Sequence, residues 1–144
     1  MGGFEIIQHT ADMGIRVWGE DWITLFEEAA RGMVSLIVDF NSVLEKEKRE
    51  LLIEGENGEE LLLKWLREIL FLVEGGMVFA SFHIREDNFY CKDINNYKFI
   101  GLLSGEKCDP SRHDICTEIK AVTRHGLLLK KKGPWWETSI LFDV

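Results

Sequence analysis

The sequence predicts an α+β domain: a mainly antiparallel β-sheet, curved or in two layers, with two helices packed on one face. Two stretches with helical spacing fall in the first half of the chain, and a run of short β-rich stretches fills the second. No regular alternation of strand and helix, the pattern that builds a parallel sheet, joins them. The 144 residues are 46 % hydrophobic, enough for an ordinary core, and contain two prolines, Pro110 and Pro134. Neither a Ser- or Pro-rich linker nor a repeat of 20 to 50 residues is visible, so the expectation is one domain covering 1–144.

The elements follow in order. "FEIIQ" and "GIRVWG" alternate as two opening strands. Asp21 is placed to cap a helix running to about Asp39, because Trp22, Leu25, Phe26, Ala29, Met33, Leu36 and Ile37 recur on one helical face. "KEKRELLIE", residues 46–54, reads as a weakly alternating strand, and "GENG" breaks it. A second helix from about Glu59 to Glu74 carries Leu61, Leu62, Trp65, Leu66, Ile69, Leu70 and Val73, and Gly75-Gly76 stops it. "MVFASFHI", "FYCKD", "KFIGLLSG", "TEIKAVT", "GLLLKKK" and "TSILFD" then read as strands rich in β-branched and aromatic residues. "EDN", "INN", "CDPSRHD", "RHG" and "KGPWW" separate them.

Composition narrows the function. A formal charge of -8 opposes unspecific capture of nucleic acid, which needs clustered Lys and Arg, so a direct RNA or DNA grip is not expected. No run of about 18 apolar residues offers a membrane span, and the start lacks the basic and apolar regions of a secretion signal. The expectation is a soluble, cytoplasmic protein without a membrane partner. Cys91, Cys108 and Cys116 fit no CxxC spacing and make an odd count, which argues against a disulfide framework or a structural zinc site.

The candidate chemistry is carboxylate chemistry. His9-Thr10-Ala11-Asp12 puts three groups able to bind metal or protons into one short turn between the opening strands. Asp12 is one of several acids at expected element ends, with Asp39 ending the first helix, Asp109 in "GEKCDPSRH" and the penultimate Asp143. Oxygen-only clusters of this kind suit a hard cation. Asp143 directly follows the apolar run "ILF", where a carboxylate would gain from a buried partner charge. His9, His83, His113 and His125 form no HExxH, and a lone His in a strand or turn is usually a hydrogen-bonded structural residue. No P-loop, GxGxxG or nucleophile elbow is present. In "TEIKAVT", strict alternation puts Ile119, Ala121 and Thr123 on one face and Glu118, Lys120 and Val122 on the other. Lys130, Lys131 and Lys132 beside Trp135 and Trp136 mix cations and aromatics as RNA-contacting surfaces do, but on an acidic chain they read as an exposed hairpin end.

Taken together, "HTADMGIRVWG" before a helix containing "EEAA", then "ELLLKWLREILFL", "GEKCDPSRH" leading into "EIKAVTRH", and the terminal "FDV" resemble the archease family over nearly the whole chain. Archeases are small accessory proteins of the RtcB-type RNA ligase, which seals tRNA exon ends in splicing and joins RNA ends in repair. The resemblance implies an α+β sandwich-like fold and a non-catalytic cofactor protein. Such a protein promotes guanylylation of the ligase's own active-site histidine and restores multiple turnover. It also implies an acidic metal site, its members matching Asp12, Asp39 and Asp143, with calcium the first choice of divalent cation and magnesium or manganese the alternatives. The EIKA lysine is matched by Lys120, which would face the ligase, its nucleotide or the acidic cluster. His9, with Thr10, would orient the turn at the surface presented to the ligase. Where many relatives have "TYH", this chain has Thr123-Arg124-His125, a cation in place of an aromatic.

Two other classes stand beside this one. A general chaperone or modulator of nucleic-acid-modifying proteins would act without Asp12 or Asp143. An independent metal-dependent hydrolase would turn over without a ligase, and it lacks a recognisable general base poised by a second group.

Overall fold

A computed structural model describes residues 1–8, 13–93 and 96–144, with the backbone alone for 87, 88 and 90–93. The fold is α+β and antiparallel, as expected, and its two layers are two separate sheets. The first runs β1 (Gly2–Gln8), β2 (Met13–Gly19), β8 (Trp135–Asp143) and β6 (Ala121–Val122), with β7 (Lys130–Lys132) also paired to β8. The second runs β3 (Glu47–Gly55), β5 (Asn96–Lys107) and β4 (Met77–Asp93).

One helical layer serves both sheets. α1 (Trp22–Ile37) packs on β1, β2 and β8 of the first sheet and on β4 of the second, and α2 (Gly58–Glu74) packs on β3, β4 and β5 and on β6. α1 is therefore buried well beyond a single stripe: Ala30 and Val34 join Leu25, Phe26, Ala29, Met33, Leu36 and Ile37 in the core. Both helices start on side-chain caps. The Asp21 carboxylate accepts the Thr24 N–H at 2.8 Å, and the Asn57 side chain accepts the Glu60 N–H at 2.8 Å. α2 ends where the Gly75 N–H reaches the Phe71 carbonyl at 3.0 Å and Gly76 turns to φ 105°.

Aromatic side chains lock the layers together. Trp65 of α2 is fully buried, donates from Nε1 to the Phe26 carbonyl at 3.0 Å and meets the Phe99 ring edge-on at 5.4 Å. Trp22 packs against Phe26, Tyr97 and Trp136 with centroids 6.3, 5.5 and 5.7 Å apart, so it contacts both sheets.

The structure redraws several expected boundaries. α1 stops at Ile37, with Val38 extended, so Asp39 lies beyond the helix and instead caps a 3₁₀ turn, Phe40–Ser42. "MVFASFHI" and "FYCKD" are one strand, because the intervening residues are absorbed as a register shift between Ile84 and Phe89 against the continuous β5. "KGPWW" is not all turn: Gly133, at φ 59°, makes the reversal, and Trp135 and Trp136 begin β8. "GLLLKKK" is strand only over its lysines. "TEIKAVT" shrinks to Ala121–Val122, since β8 ends at Asp143, opposite Ala121, and leaves 117–119 no partner strand there. Two-residue periodicity then fails. Ile119 and Val122, expected on opposite faces, are both buried, while Lys120 is exposed.

Candidate functional site

The described candidates sit at element ends on exposed chain. Asp39 uses its own Oδ1 to accept the Asn41 N–H at 3.0 Å, and its carbonyl accepts the Ser42 N–H at 3.1 Å and the Ser42 hydroxyl at 2.7 Å. This is an Asx-type turn, and it fixes the carboxylate on a tight backbone. Lys120 and Asp143 are brought together by backbone: the Lys120 N–H donates to the Asp143 carbonyl at 2.7 Å and Ala121 pairs with Asp143. Both side chains point out of the core, and Asp143 is exposed where a buried partner charge had been expected. Asp39 is linked to the same segment one step earlier, through the bridge between Val38 and Ile115 and the Cys116 N–H to the Ile37 carbonyl at 2.8 Å.

His9 and Asp12 lie outside the described residues. Met13, the next described residue, pairs with Phe142, beside Asp143. Among the described residues no three His, Cys, Asp or Glu side chains converge to hold a metal ion. Asp39 and Asp143 have the hard oxygen donors that a calcium, magnesium or manganese ion takes, but as two carboxylates they make an incomplete ligand set.

The tightest polar cluster is one whose role the sequence does not announce. Glu106, next to last in β5, is 3 % exposed, and His113 is 2 % exposed. Glu106 Oε1 accepts from Arg112 Nη2, and Oε2 accepts the Leu44 N–H at 2.6 Å. His113 Nε2 lies 3.1 Å from both Glu106 Oε2 and the Ser42 carbonyl, while its Nδ1 accepts the Asp109 N–H at 2.8 Å. That acceptor role at Nδ1 assigns the ring proton to Nε2, which donates to the carboxylate and the carbonyl. The Arg112 guanidinium, the Leu44 N–H and His113 together hold the Glu106 carboxyl at about 2, against the opposing effect of burial. Asp109 is held below its usual range by the Ser111 hydroxyl and N–H, 2.7 and 3.0 Å away. Both imidazole nitrogens are engaged and the His113 side chain is wholly buried, so the pair offers no base to a substrate. Asp109 works as a turn cap, and His113 as the hydrogen-bonded structural histidine its type suggests. The spacing of Glu106 from His113 in "GEKCDPSRH" was visible, but nothing in it marks a pair closing on a third segment.

Lys120 also stands at the rim of a cleft of about 590 Å³ floored by Ile37, Leu70, Met77 and Ile119. Half-buried Cys108 lines it as a free thiol, and Cys116 nearby in sequence is free and exposed. The lysine hairpin spends part of its charge internally. Lys132 and Arg16 pair with Glu137 at 2.7 and 3.0 Å, and Lys131 lies 5.8 Å above the Trp136 ring. No helix of the described chain is long and apolar enough to cross a membrane.

Two antiparallel sheets sharing one helix pair, with acids on the turn after α1 and at the end of β8, define a small α+β protein. Residues 4–144 match the Archease protein family (MTH1598/TM1083), and the chain belongs to that family. Protein archease of Methanopyrus kandleri is 37 % identical over 142 residues, covering 98 % of this chain and 99 % of that one. Protein archease of Sulfurisphaera tokodaii is 33 % identical over 145 residues, covering 100 % of each. The solution structure of Methanobacterium thermoautotrophicum protein 1598 superposes with a TM-score of 0.86 at 29 % identity, covering 99 % of both chains. The Thermotoga maritima archease, described as a possible chaperone, shares the fold with a TM-score of 0.64 at 22 % identity, covering 97 % of this chain and 96 % of that one.

Proposed function

We propose that this protein activates an RtcB-type RNA ligase in tRNA splicing and RNA repair, promoting guanylylation of the ligase's active-site histidine and so multiple turnover. Membership of the archease family across residues 4–144 is the observation that carries the reading. The meeting of the Lys120 segment with the end of β8, and the tie from Val38 to Ile115, support it by linking the chain beside Asp39 to Lys120 and Asp143 through one segment.

In this reading Asp12, Asp39 and Asp143 hold a divalent cation, calcium first and magnesium or manganese as alternatives. Lys120 and His9 face the ligase. The cation supplies charge that helps arrange the triphosphate, whose negative oxygens need neutralising. The chain works in the cytoplasm as one unit of 1–144, without its own grip on nucleic acid and without a membrane.

The test is guanylylation of the cognate ligase with GTP and manganese, with this protein added in catalytic amounts as wild type, Asp12→Ala or Asp143→Ala. Stimulation by the wild type that either substitution abolishes, with folding intact by circular dichroism, is the expected result. Absence of stimulation removes the ligase reading. Equal stimulation by all three proteins leaves the general chaperone, a reading that the description of the Thermotoga maritima relative keeps open.

A further inference from the structure

Asp39 and Lys120 both sit on irregular chain, yet neither segment is loose. The turn that Asp39 caps is followed directly by the two backbone groups that the buried pair grips: the Ser42 carbonyl, 3.1 Å from His113 Nε2, and the Leu44 N–H, 2.6 Å from Glu106 Oε2. On the other side of Asp39, Val38 bridges to Ile115 and the Ile37 carbonyl takes the Cys116 N–H at 2.8 Å. Residues 113–116 therefore clasp the chain both before and after Asp39. The same run continues to the buried Ile119 and to Lys120, whose N–H closes on Asp143. A single segment thus touches Asp39's flanks at one end and Asp143's carbonyl at the other, and His113 and Glu106 anchor it at its start.

We infer that Glu106 and His113 are positioning residues that set Asp39 in place relative to Lys120 and Asp143. Burying a paired carboxylate and imidazole against two backbone groups gives a fixed geometry that exposed loop residues do not supply for themselves. The functional part of this role rests on the activator reading; the geometric part does not.

Two substitutions at one position separate positioning from bulk stability. In His113→Asn the amide oxygen falls where Nδ1 is and keeps the Asp109 N–H, but no atom reaches Ser42 or Glu106. In His113→Gln the amide nitrogen falls where Nε2 is and keeps that cross-link. Both lose the ring. Amide hydrogen exchange at Leu44, Cys116 and Lys120 is measured well below each variant's melting temperature, beside ligase guanylylation at saturating activator. The expected result is faster exchange at these amides and stimulation reduced by roughly 10- to 100-fold in His113→Asn, with His113→Gln close to wild type in both.

Equal effects in the two variants, or none in either, overturn the inference, as does an exchange contrast without any contrast in stimulation by an active wild type. If the wild type does not stimulate the ligase, the activator reading falls by itself. The exchange contrast then decides the positioning: its presence upholds the geometry and its absence refutes it.

Discussion

Gly101→Ala is the sharpest test of how the layers meet. A Cβ at this buried position of β5 would stand 2.2 Å from Trp65 Cζ3 and 2.4 Å from Cη2, where ordinary contact begins at 3.4 Å. The ring would have to retreat by more than an ångström. It has little freedom to do so, because Nε1 is bonded to the Phe26 carbonyl at 3.0 Å and the Phe99 ring lies across it at 5.4 Å. Overpacking of a well-filled core costs about 1–3 kcal/mol, and a ring pinned at its far end puts this case at the upper limit. For a chain of this length that lowers the melting temperature by roughly 10 °C. Urea and thermal unfolding followed by circular dichroism read the loss directly. Trp65→Phe removes the offending ring atoms, so the double variant should be more stable than the sum of the singles by at least about 1 kcal/mol. Strict additivity, or a single-variant loss below about 0.5 kcal/mol, would refute the packing described.

Two pH-linked predictions have opposite signs. Glu106, held at about 2 against an ordinary 4.5, contributes stability that is complete above 4.5 and lost as the pH falls toward 2. Glu106→Gln should lower the urea midpoint at neutral pH and flatten its decline in acid, with the acid sensitivity that remains coming from Glu60, Asp109 and Glu137, all also lowered. An unchanged acid slope would refute it. Glu27 is raised, chiefly by burial, although the Ile84 N–H at 2.7 Å and His83 favour its charge. Its contribution is present below 4.5 and lost as the pH rises through its folded value. Glu27→Gln keeps an acceptor for Ile84 and removes the charge, so the urea midpoint at pH 7 should equal or exceed the wild-type value; a clear fall would show the carboxylate to be net stabilising.

The helices were legible because their apolar spacing, caps and stops agree. Asp21, Leu25, Phe26 and Ala29 at one end, and Gly75-Gly76 at the other, each mean one thing locally. Strands 117–123 and 126–132 were over-read for the opposite reason. "TEIKAVT" and "GLLLKKK" have strand-like composition, but a strand exists only where a partner does, and β8 offers one over Ala121–Val122 and Lys130–Lys132 alone. Trp135 and Trp136 were hidden by the proline before them; their place follows from Trp22 reaching Trp136 across the fold, a contact between residues more than a hundred positions apart. At the candidate site the acids were visible as residue types, and the Asp39 turn and the Lys120–Asp143 junction give them places. The pair of Glu106 and His113 was not visible, because its third party, the chain from Ser42 to Leu44, is 62 residues from Glu106 and 71 from His113 in the contacts they make.

That division between readable and unreadable residues has a physical origin in how the fold spends its polar groups. The core is apolar and its few buried polar side chains are nearly all matched: Glu106 by Arg112, Leu44 and His113, and Thr138 by the Leu128 N–H at 3.3 Å. Lys120 and Asp143 remain in water, where an exposed charge adds little to stability, so the fold has little energetic need of their side chains, whereas the exposed Asp39 carboxylate caps its turn through the Asn41 N–H. All three are nonetheless fixed through their backbones, Asp39 by its 3₁₀ turn beside the Val38–Ile115 bridge, and Lys120 and Asp143 by the bond between them. On the activator reading, substituting Lys120 or Asp143 should therefore reduce ligase stimulation while leaving the unfolding curve within about 0.5 kcal/mol of wild type, Asp39→Ala should reduce stimulation and also cost about 1 kcal/mol for the lost cap, and substituting Glu106 or His113 should move both.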